Sequence, residues 1–243
     1  MSLTLTETAV HRSGTHINNH DRKRLQMNNE FANEEQLRGL GLPAGARHYR
    51  AYVGVPERYD ELAALQFRVL TDLGLRDHHK VLEVGCGSLR FGRLLLPYLL
   101  PDRYVGVEPE QWLVQDGIRH ELGETIIQVK KPQFCFDAEC DFAHFGRAFD
   151  YIMIQSVVTH APFDWVERCA HRLSAVVAAP DGVVVGTYSD GPADYRGEEW
   201  AYPDCISYRQ ETLQEIFLSV GLTWRTLNQY PHPAGVTWFL LRR

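Results

Sequence analysis

The residues with the clearest chemical potential lie between Lys80 and Leu99, in the segment KVLEVGCGSLRFGRLLLPYL. A short apolar run contains the acid Glu83 and is followed by Gly85 and Gly87. Glycines let a backbone turn sharply and approach a ligand closely. A strand, a glycine turn and a helix in this order predict a site for a nucleotide-like ligand, whereas an isolated G-x-G more often marks a structural turn.

Two classes of cofactor could use this turn. Dinucleotides bind the pattern G-x-G-x-x-G, with the pyrophosphate at the N-terminus of the following helix. Counting from Gly85, Arg90 stands where the third glycine belongs and would obstruct close packing of helix and strand. Glu83 lies beside the turn, where a carboxylate repels a pyrophosphate and attracts a cation. The residues therefore favour a cationic cofactor.

The segment LEVGCG resembles the first motif of class I S-adenosylmethionine (SAM)-dependent methyltransferases, acid-x-G-x-G-x-G. SAM carries a sulfonium and an ammonium group against one carboxylate, so an acid-rich pocket suits its net positive charge. GCGSLR, followed later by SVVTHAP, is similar to a subset of bacterial small-molecule methyltransferases. One departure is Leu89, which replaces the third glycine of the family and is expected to cramp the turn after Gly87.

The resemblance covers roughly residues 75–243 and implies the cofactor-binding residues. Glu108, in RYVGVEPE, would accept hydrogen bonds from the ribose hydroxyls. Asp137, in FDAECDF, would bond the adenine amino group, with Asp141 as the alternative register, and the backbone N–H of Ala138 would reach a ring nitrogen. The complete implied set is Glu83, Gly85, Cys86, Gly87, Glu108, Pro109, Asp137, Ala138 and Gln155. The implied cofactor is SAM and the implied product is S-adenosylhomocysteine (SAH).

Candidates for catalysis and substrate binding follow the fourth and fifth predicted strands. His160, in SVVTHAP, is predicted to be the base that removes a proton from the acceptor, because an imidazole titrates near neutral pH. The alternative is a histidine that caps or packs the loop before Pro162. Aromatic side chains in later loops are typical of a pocket for a flat acceptor, or of cation–π contact with the sulfonium, although ordinary loop packing also uses them. The predicted pocket residues are Tyr52, Tyr188, Trp200 and Tyr202.

Together these residues predict a SAM-dependent methyltransferase acting on a small-molecule acceptor. Oxygen is favoured over nitrogen because no DPPY- or NPPY-type segment follows the fourth strand. The alternatives are an NAD-dependent oxidoreductase and a non-catalytic protein of the same fold that binds a partner through its aromatic loop. Arg90 has two open roles, pairing with a pocket carboxylate or contacting the carboxylate of SAM.

The elements that must position these residues alternate between strand and helix from Val81 onward. This order predicts an α/β fold with a doubly wound, mostly parallel sheet. By resemblance the sheet has seven strands, is Rossmann-like and ends with an antiparallel strand. The predicted strands are Val81–Val84, Arg103–Val107, Phe134–Phe136, 149–156, 181–189, Leu222–Asn228 and Val236–Leu241. The predicted helices are Asn29–Arg38, 56–74, Arg90–Tyr98, Gln111–Glu121, Phe163–Ala178 and Glu211–Val220. Residues 1–74 are predicted to be a partly helical N-terminal extension and a possible lid, and residues 75–243 the SAM-binding domain.

Composition narrows the class of protein further. The 243 residues carry a net charge of −6, which gives no support for a nucleic-acid partner. The sequence has no apolar run of transmembrane length, so no membrane partner is predicted. Five cysteines without CxxC spacing favour reduced thiols in a cytoplasmic protein over disulfides or a zinc site. The identity of the acceptor and the oligomeric state are left open.

Overall fold

The structure is a computed structural model and describes residues 34–243. The polar segment of residues 1–28 and the start of the predicted helix Asn29–Arg38 lie outside the described residues, whereas residues 34–38 are helical and form α1. The chain divides into residues 1–38 and residues 39–243, and the second unit carries the fold. This unit includes residues 39–74, which belong to the segment that was predicted to be an extension.

A seven-stranded sheet in the order β3-β2-β1-β4-β5-β7-β6 forms the centre of this unit. The strands are β1 (Val81–Val84), β2 (Tyr104–Val107), β3 (Gln133–Cys135), β4 (Tyr151–Ile154), β5 (Val183–Tyr188), β6 (Thr223–Thr226) and β7 (Thr237–Arg242). The pairs among β1 to β5 are parallel, and β7 runs antiparallel to both β5 and β6. The predicted fold class is therefore confirmed.

Helices connect the strands and cover both faces of the sheet. They are α2 (Tyr49–Tyr52), α3 (Tyr59–Asp72), α4 (Gly92–Tyr98), α5 (Gln111–Gly117), α6 (Glu124–Lys130), α7 (Phe163–Val176) and α8 (Gln210–Ser219). The sequence did not predict α2 or α6. The segment ETIIQVK of α6 is rich in β-branched residues of modest helix propensity, and it follows a short π-helix, Ile118–Leu122, and the turn at Gly123.

The sheet has a hydrophobic core on each face, as parallel strands require. Alternate residues of β1 show the division, since Leu82 and Val84 belong to the core under α7 and α8, while Val81 belongs to the core under α3 and α4. By the same alternation Glu83 is directed towards the second core. The strand order reverses between β1 and β4, so a crevice for a ligand is expected at the carboxyl ends of these two strands.

Candidate functional site

The loop that leaves β1 has a backbone that requires glycine. Gly85 has φ 74° and Gly87 has φ 53°, both in the left-handed region. A Cβ atom at Gly85 would stand 2.6 Å from Cγ2 of Val157, and one at Gly87 would stand 2.6 Å from Cγ1 of Val53. Conformation and space therefore both exclude a side chain at these two positions. The contact with Val53 also places the segment after α2 directly on this loop.

Leu89, at the position of the family's third glycine, has a left-handed backbone conformation. Its φ is 59°, and its side chain is fully buried. Gly92 and Gly117 make room for it, because a Cβ at either position would stand 3.3 Å from Cβ of Leu89. The turn after Gly87 is thus preserved with a leucine in place of the third glycine, at the expense of local backbone strain.

Glu108, at the end of β2, holds the glycine loop by its carboxylate. Its Oε2 accepts a hydrogen bond from the N–H of Gly87 at 2.9 Å, and its Oε1 accepts one from the N–H of Glu110 at 2.9 Å. Burial raises the pKa of Glu108, and the two backbone donors oppose that rise. Each carboxylate oxygen has a further lone pair, so Glu108 can accept two more hydrogen bonds. Pro109, which follows it, is exposed.

Glu83 and Cys86 are directed into the protein. The Oε2 atom of Glu83 accepts a 2.6 Å hydrogen bond from the hydroxyl of Tyr104, and burial raises the pKa of Glu83 to about 8. The thiol of Cys86 lies where it would be 2.8 Å from a Cβ on Gly106, so it packs against β2. The thiol is buried, and burial raises its pKa well above the usual value, as expected of an inert side chain. Cys86 therefore presents its backbone to the crevice.

The predicted adenine-binding segment follows β3 and is exposed at Asp137 and Ala138. Oδ1 of Asp137 accepts a hydrogen bond from the N–H of Glu139 at 2.9 Å. Oδ1 of Asp141 accepts one from the N–H of Ala143 at 3.1 Å and caps the short 3-10 helix Phe142–Phe145. Asp137 therefore stands before the cap, nearer the end of β3, while Asp141 is a helix cap.

Arg90 connects three separate parts of the chain. Its Nη1 donates to the carbonyl oxygen of Val53 at 2.8 Å, and its Nη2 donates to Oε1 of Gln155, just beyond β4, at 2.6 Å. Nε2 of Gln155 lies 3.3 Å from Nε2 of His232. Burial lowers the pKa of His232 to about 4, and the charge of Arg90 adds to this effect.

His232 is a site residue that the sequence analysis missed. It lies in the loop between β6 and β7. Because β6 runs parallel to β1 and β4, its carboxyl end and the loop that follows must lie at the same edge as the glycine turn. A buried histidine in that loop is therefore brought to Gln155. The strand order is the signal that could have predicted the position of His232, because it brings the loop after β6 to this edge of the sheet.

His160 is buried and held in one tautomer. Its Nδ1 lies 2.8 Å from the carbonyl oxygen of Asp204. Because a carbonyl only accepts, Nδ1 carries the proton, and Nε2 of the neutral ring keeps its lone pair. Burial lowers the pKa of His160, and the bond to Asp204 opposes this. The ring stands edge-on to Tyr202, with 5.1 Å between the ring centroids.

Tyr52 and Tyr202 are far apart in the sequence, and their rings form an aromatic pair. Their ring centroids are 5.5 Å apart, and Tyr52 also packs edge-on against Trp112 at 5.2 Å. The hydroxyl of Tyr202 is buried and has no hydrogen-bond partner in residues 34–243. Burial raises the pKa of Tyr202 to about 12. Two of the four predicted pocket residues are thus together beside His160.

Tyr188, which was predicted to line the pocket, lies in the hydrophobic core. It is fully buried, its ring lies 5.5 Å from Trp224 and 6.3 Å from Phe239, and its hydroxyl donates to Gln210 of α8. The reason is that α8 covers even the last residue of β5. Trp200 is 44% exposed and packs edge-on against Trp165 of α7, with 5.0 Å between centroids.

Residues 34–243 show no sign of a metal centre or a membrane-spanning helix. They contain no group of three side chains able to hold a metal ion and no helix long and apolar enough to cross a membrane. A groove of about 750 Å³ lies between α7 and α8. Its lining carries both acidic and basic side chains and includes none of the residues at the carboxyl edge of β1 and β4.

The sheet order, the glycine turn after β1 and the acid after β2 define the class I methyltransferase fold. A family model described as a methyltransferase domain matches residues 49–227. The chain therefore belongs to this family, which confirms the resemblance to class I SAM-dependent methyltransferases. A search of curated proteins found no significant match.

Solved structures with the same fold cover most of the chain. Magnesium protoporphyrin IX methyltransferase from Synechocystis, with bound SAM, has a TM-score of 0.59 and 14% identity over 95% of this chain and 100% of that one. DhpI in complex with SAH has a TM-score of 0.55 and 20% identity over 80% of this chain and 92% of that one. An O-methyltransferase family protein from Burkholderia thailandensis has a TM-score of 0.53 and 13% identity over 92% and 70% of the respective chains. At these identities the likeness concerns the fold.

Proposed function

We propose that the protein transfers the methyl group of SAM to an oxygen atom of a small-molecule acceptor, with SAH as the second product. The observation that carries the proposal is the contact between the loops that follow β1 and β2. There the carboxylate of Glu108 binds the left-handed glycine turn and keeps acceptor capacity for two vicinal hydroxyls. The turn at Gly85 and Gly87 has no room for a Cβ atom and lies next to two acids, Glu83 and Glu108. Such a turn fits a cationic nucleoside.

The residues that would hold SAM come from the carboxyl ends of four strands, β1 to β4. Glu108 would accept from the ribose hydroxyls, Asp137 would bond the adenine amino group, and the N–H of Ala138 would bond a ring nitrogen. Glu83 would stand behind the glycine turn, where Tyr104 holds its carboxyl group. Gln155 would stand beside the amino-acid end of the cofactor. Pro109 and the backbone of Gly85, Cys86 and Gly87 would complete the set. When bound, SAM supplies a methyl group activated by its sulfonium.

His160 would act as the general base for the acceptor hydroxyl. The bond from its Nδ1 to Asp204 leaves Nε2 free to take a proton, and its lowered pKa keeps it neutral at pH 7. A positioned base of this kind contributes about 10²–10⁴-fold to a rate. Tyr52 and Tyr202 would form the wall against which the acceptor lies, and Trp200 would stand further out.

We further propose that the segment before α3 covers the bound cofactor as a lid. Val53 packs on Gly87, and the hydroxyl of Tyr59 lies 3.1 Å from both the carbonyl oxygen and the hydroxyl of Ser88. The cover would then come from the part of the predicted extension between residues 39 and 74, and residues 75–243 would supply the main binding surface. A cover excludes water from the transferring methyl group and aligns the acceptor with the carbon–sulfur axis.

Calorimetric titration with SAM, SAH and NAD tests the proposal. We expect the wild-type protein to bind both adenosyl ligands at micromolar concentration and not to bind NAD, and Glu108→Ala to lose binding. Glu110→Ala, which changes an exposed neighbouring acid, is the matched control and should retain it. Binding of NAD alone would favour an oxidoreductase. Binding of none of the three would favour a non-catalytic protein of this fold.

A further inference from the structure

Arg90 is a buried positive charge that forms no ion pair with any of residues 34–243. Its side chain is only 9% exposed, and its two bonded nitrogens donate to the neutral oxygens of Val53 and Gln155. Its Nε is buried and has no hydrogen-bond partner in the part of the chain that the structure describes. A guanidinium that has lost water and gained no opposite charge is costly to bury. A ligand that brings a negative charge to Arg90 would remove this cost.

The charged groups nearest to Arg90 do not supply that charge. Glu83 is bonded to Tyr104, and with a pKa of about 8 it is largely protonated at neutral pH. Glu108 is held by the backbone of Gly87 and Glu110. His232 is neutral, because its pKa is about 4. The positive charge of Arg90 is therefore unmatched at the edge where the ligands are expected.

Tyr202 places a second unused donor in the same region. Its hydroxyl is buried and unpartnered among residues 34–243, although its ring is packed against His160 and Tyr52. The charge of Arg90 lowers the pKa of this hydroxyl against the effect of burial, so the two groups lie within electrostatic reach. Within the described part of the chain, Nε of Arg90 and the hydroxyl of Tyr202 thus both lack an acceptor.

We propose that Arg90 and Tyr202 form a subsite for a carboxylate. A carboxylate has one negative charge and two acceptor oxygens, which match one guanidinium and one phenol hydroxyl. A phosphate dianion would meet the nearby carboxyl groups of Glu83 and Glu108 with fewer donors than it needs. The inference rests on the proposed function, since two carboxylates have access to this edge: that of the cofactor's amino-acid end and one carried by the methyl acceptor.

Calorimetry on full-length protein separates these two sources. The probes are SAH, 5′-methylthioadenosine, which lacks the amino-acid carboxylate, and benzoate with benzamide as its neutral counterpart, titrated with and without saturating SAH. The variants are Arg90→Gln and Tyr202→Phe. Tyr202→Phe removes a hydroxyl that has no partner, so it should fold even if Arg90→Gln does not. Arg68→Gln, an exposed arginine of α3, is the matched control.

If the carboxylate belongs to the cofactor, both variants weaken SAH binding by about 10- to 100-fold and leave 5′-methylthioadenosine unchanged. If it belongs to the acceptor, SAH binding is unchanged, benzoate binds the wild-type complex but not the variants, and benzamide does not bind. Equal loss of SAH and 5′-methylthioadenosine, or no change in any titration, overturns the subsite. If wild-type protein binds no adenosyl ligand, the proposed function fails. In that case, benzoate binding to the free wild-type protein that is lost in both variants would support the subsite. The absence of such benzoate binding would overturn it.

Discussion

At the scale of single residues, Leu89 shows how a family motif can change its side chain and keep its backbone. The third glycine of the motif is replaced, yet φ at this position is 59°. The leucine is tolerated because Gly92 and Gly117, both in neighbouring helices, leave space for it. The motif is therefore better described by backbone conformation at this position than by residue type.

Restoring glycine at position 89 should destabilise the protein. Leu89→Gly removes a fully buried side chain, which costs about 2–5 kcal/mol, and releases left-handed strain of about 1 kcal/mol. We expect the urea midpoint to fall. Leu89→Ala loses the same packing and keeps the strain, so it should unfold at a lower urea concentration than Leu89→Gly. The opposite order of the two variants would show that no strain is stored at this position.

His160 makes a prediction about pH. Its pKa lies below the usual 6.5, and the neutral form is the base, so kcat/KM should be constant at neutral pH and fall as the pH drops through that pKa. His160→Ala should lower turnover by about 10²–10⁴-fold and abolish this acid limb. The measurement is a pH–rate profile with an identified acceptor, and the exposed His144→Ala is the control. An unchanged profile in His160→Ala would leave the histidine a loop-packing residue.

At the scale of elements, the lid proposal concerns the segment between α2 and α3. Val53 of this segment and Tyr59, the first residue of α3, contact the glycine loop, so a ligand in the crevice should hold the segment in place. We expect SAH to slow tryptic cleavage after Arg47 and Arg50. Cleavage after Arg76, an exposed residue in the turn before β1, serves as the internal control. Equal cleavage at Arg47 and Arg50 with and without SAH would argue against a lid.

The carboxylate of Asp194 binds the loop after β5 to the start of α8. Asp194 accepts hydrogen bonds from the N–H of Arg209 at 2.9 Å and from the hydroxyl of Thr212 at 3.0 Å, and its Oδ2 pairs with the guanidinium of Arg209. Burial raises the pKa of Asp194, but the bonds from Arg209 and Thr212 outweigh this effect and lower it to about 2. The anionic form therefore stabilises the connection between loop and helix.

Asp194→Asn should destabilise the protein by about 1–2 kcal/mol at pH 7, because hydrogen bonds to a charged group are lost. A depressed pKa in the folded state gives stability that is present above the unfolded value near 3.9 and is lost as the pH falls towards 2. The difference from wild type in urea midpoint should therefore shrink between pH 4 and pH 2. Asp181→Asn, at an exposed turn, is the control. A difference that is independent of pH would contradict the assignment.

At the scale of the whole molecule, the boundary of the folded unit can be tested by truncation. Residues 39–243 form one unit, and α3 contributes Val69 and Leu70 to the second core. A protein that begins at Gly39 should unfold cooperatively in urea and bind SAH. A protein that begins at Leu75 should do neither, because the core under α3 is exposed. Cooperative unfolding of residues 75–243 with SAH binding would instead support the boundary predicted from sequence.

Much of the fold was predictable because its signals are local. The buried strands β1, β4 and β5 are short apolar runs, and the glycine turn and the acid at Glu108 follow directly from residue types at strand ends. The antiparallel β7 was predictable from the short loop that joins it to β6. Helix α6 was missed because its β-branched residues have no strong local helix signal, and its packing decides its conformation.

Features of the site were predictable only where the residues that form them are close together in the sequence. The sequence alone determined the glycine turn, the acids beside it and the class of cofactor, because these depend on residues adjacent in the chain. The tertiary structure decided that Tyr188 is in the core, that Val53 lies on Gly87 and that His232 reaches Gln155. It also decided that Arg90 is buried and bonded to the neutral oxygens of Val53 and Gln155. Such facts depend on contacts between residues far apart in sequence, and the strand order and the packing of the loops alone determine which distant residues meet.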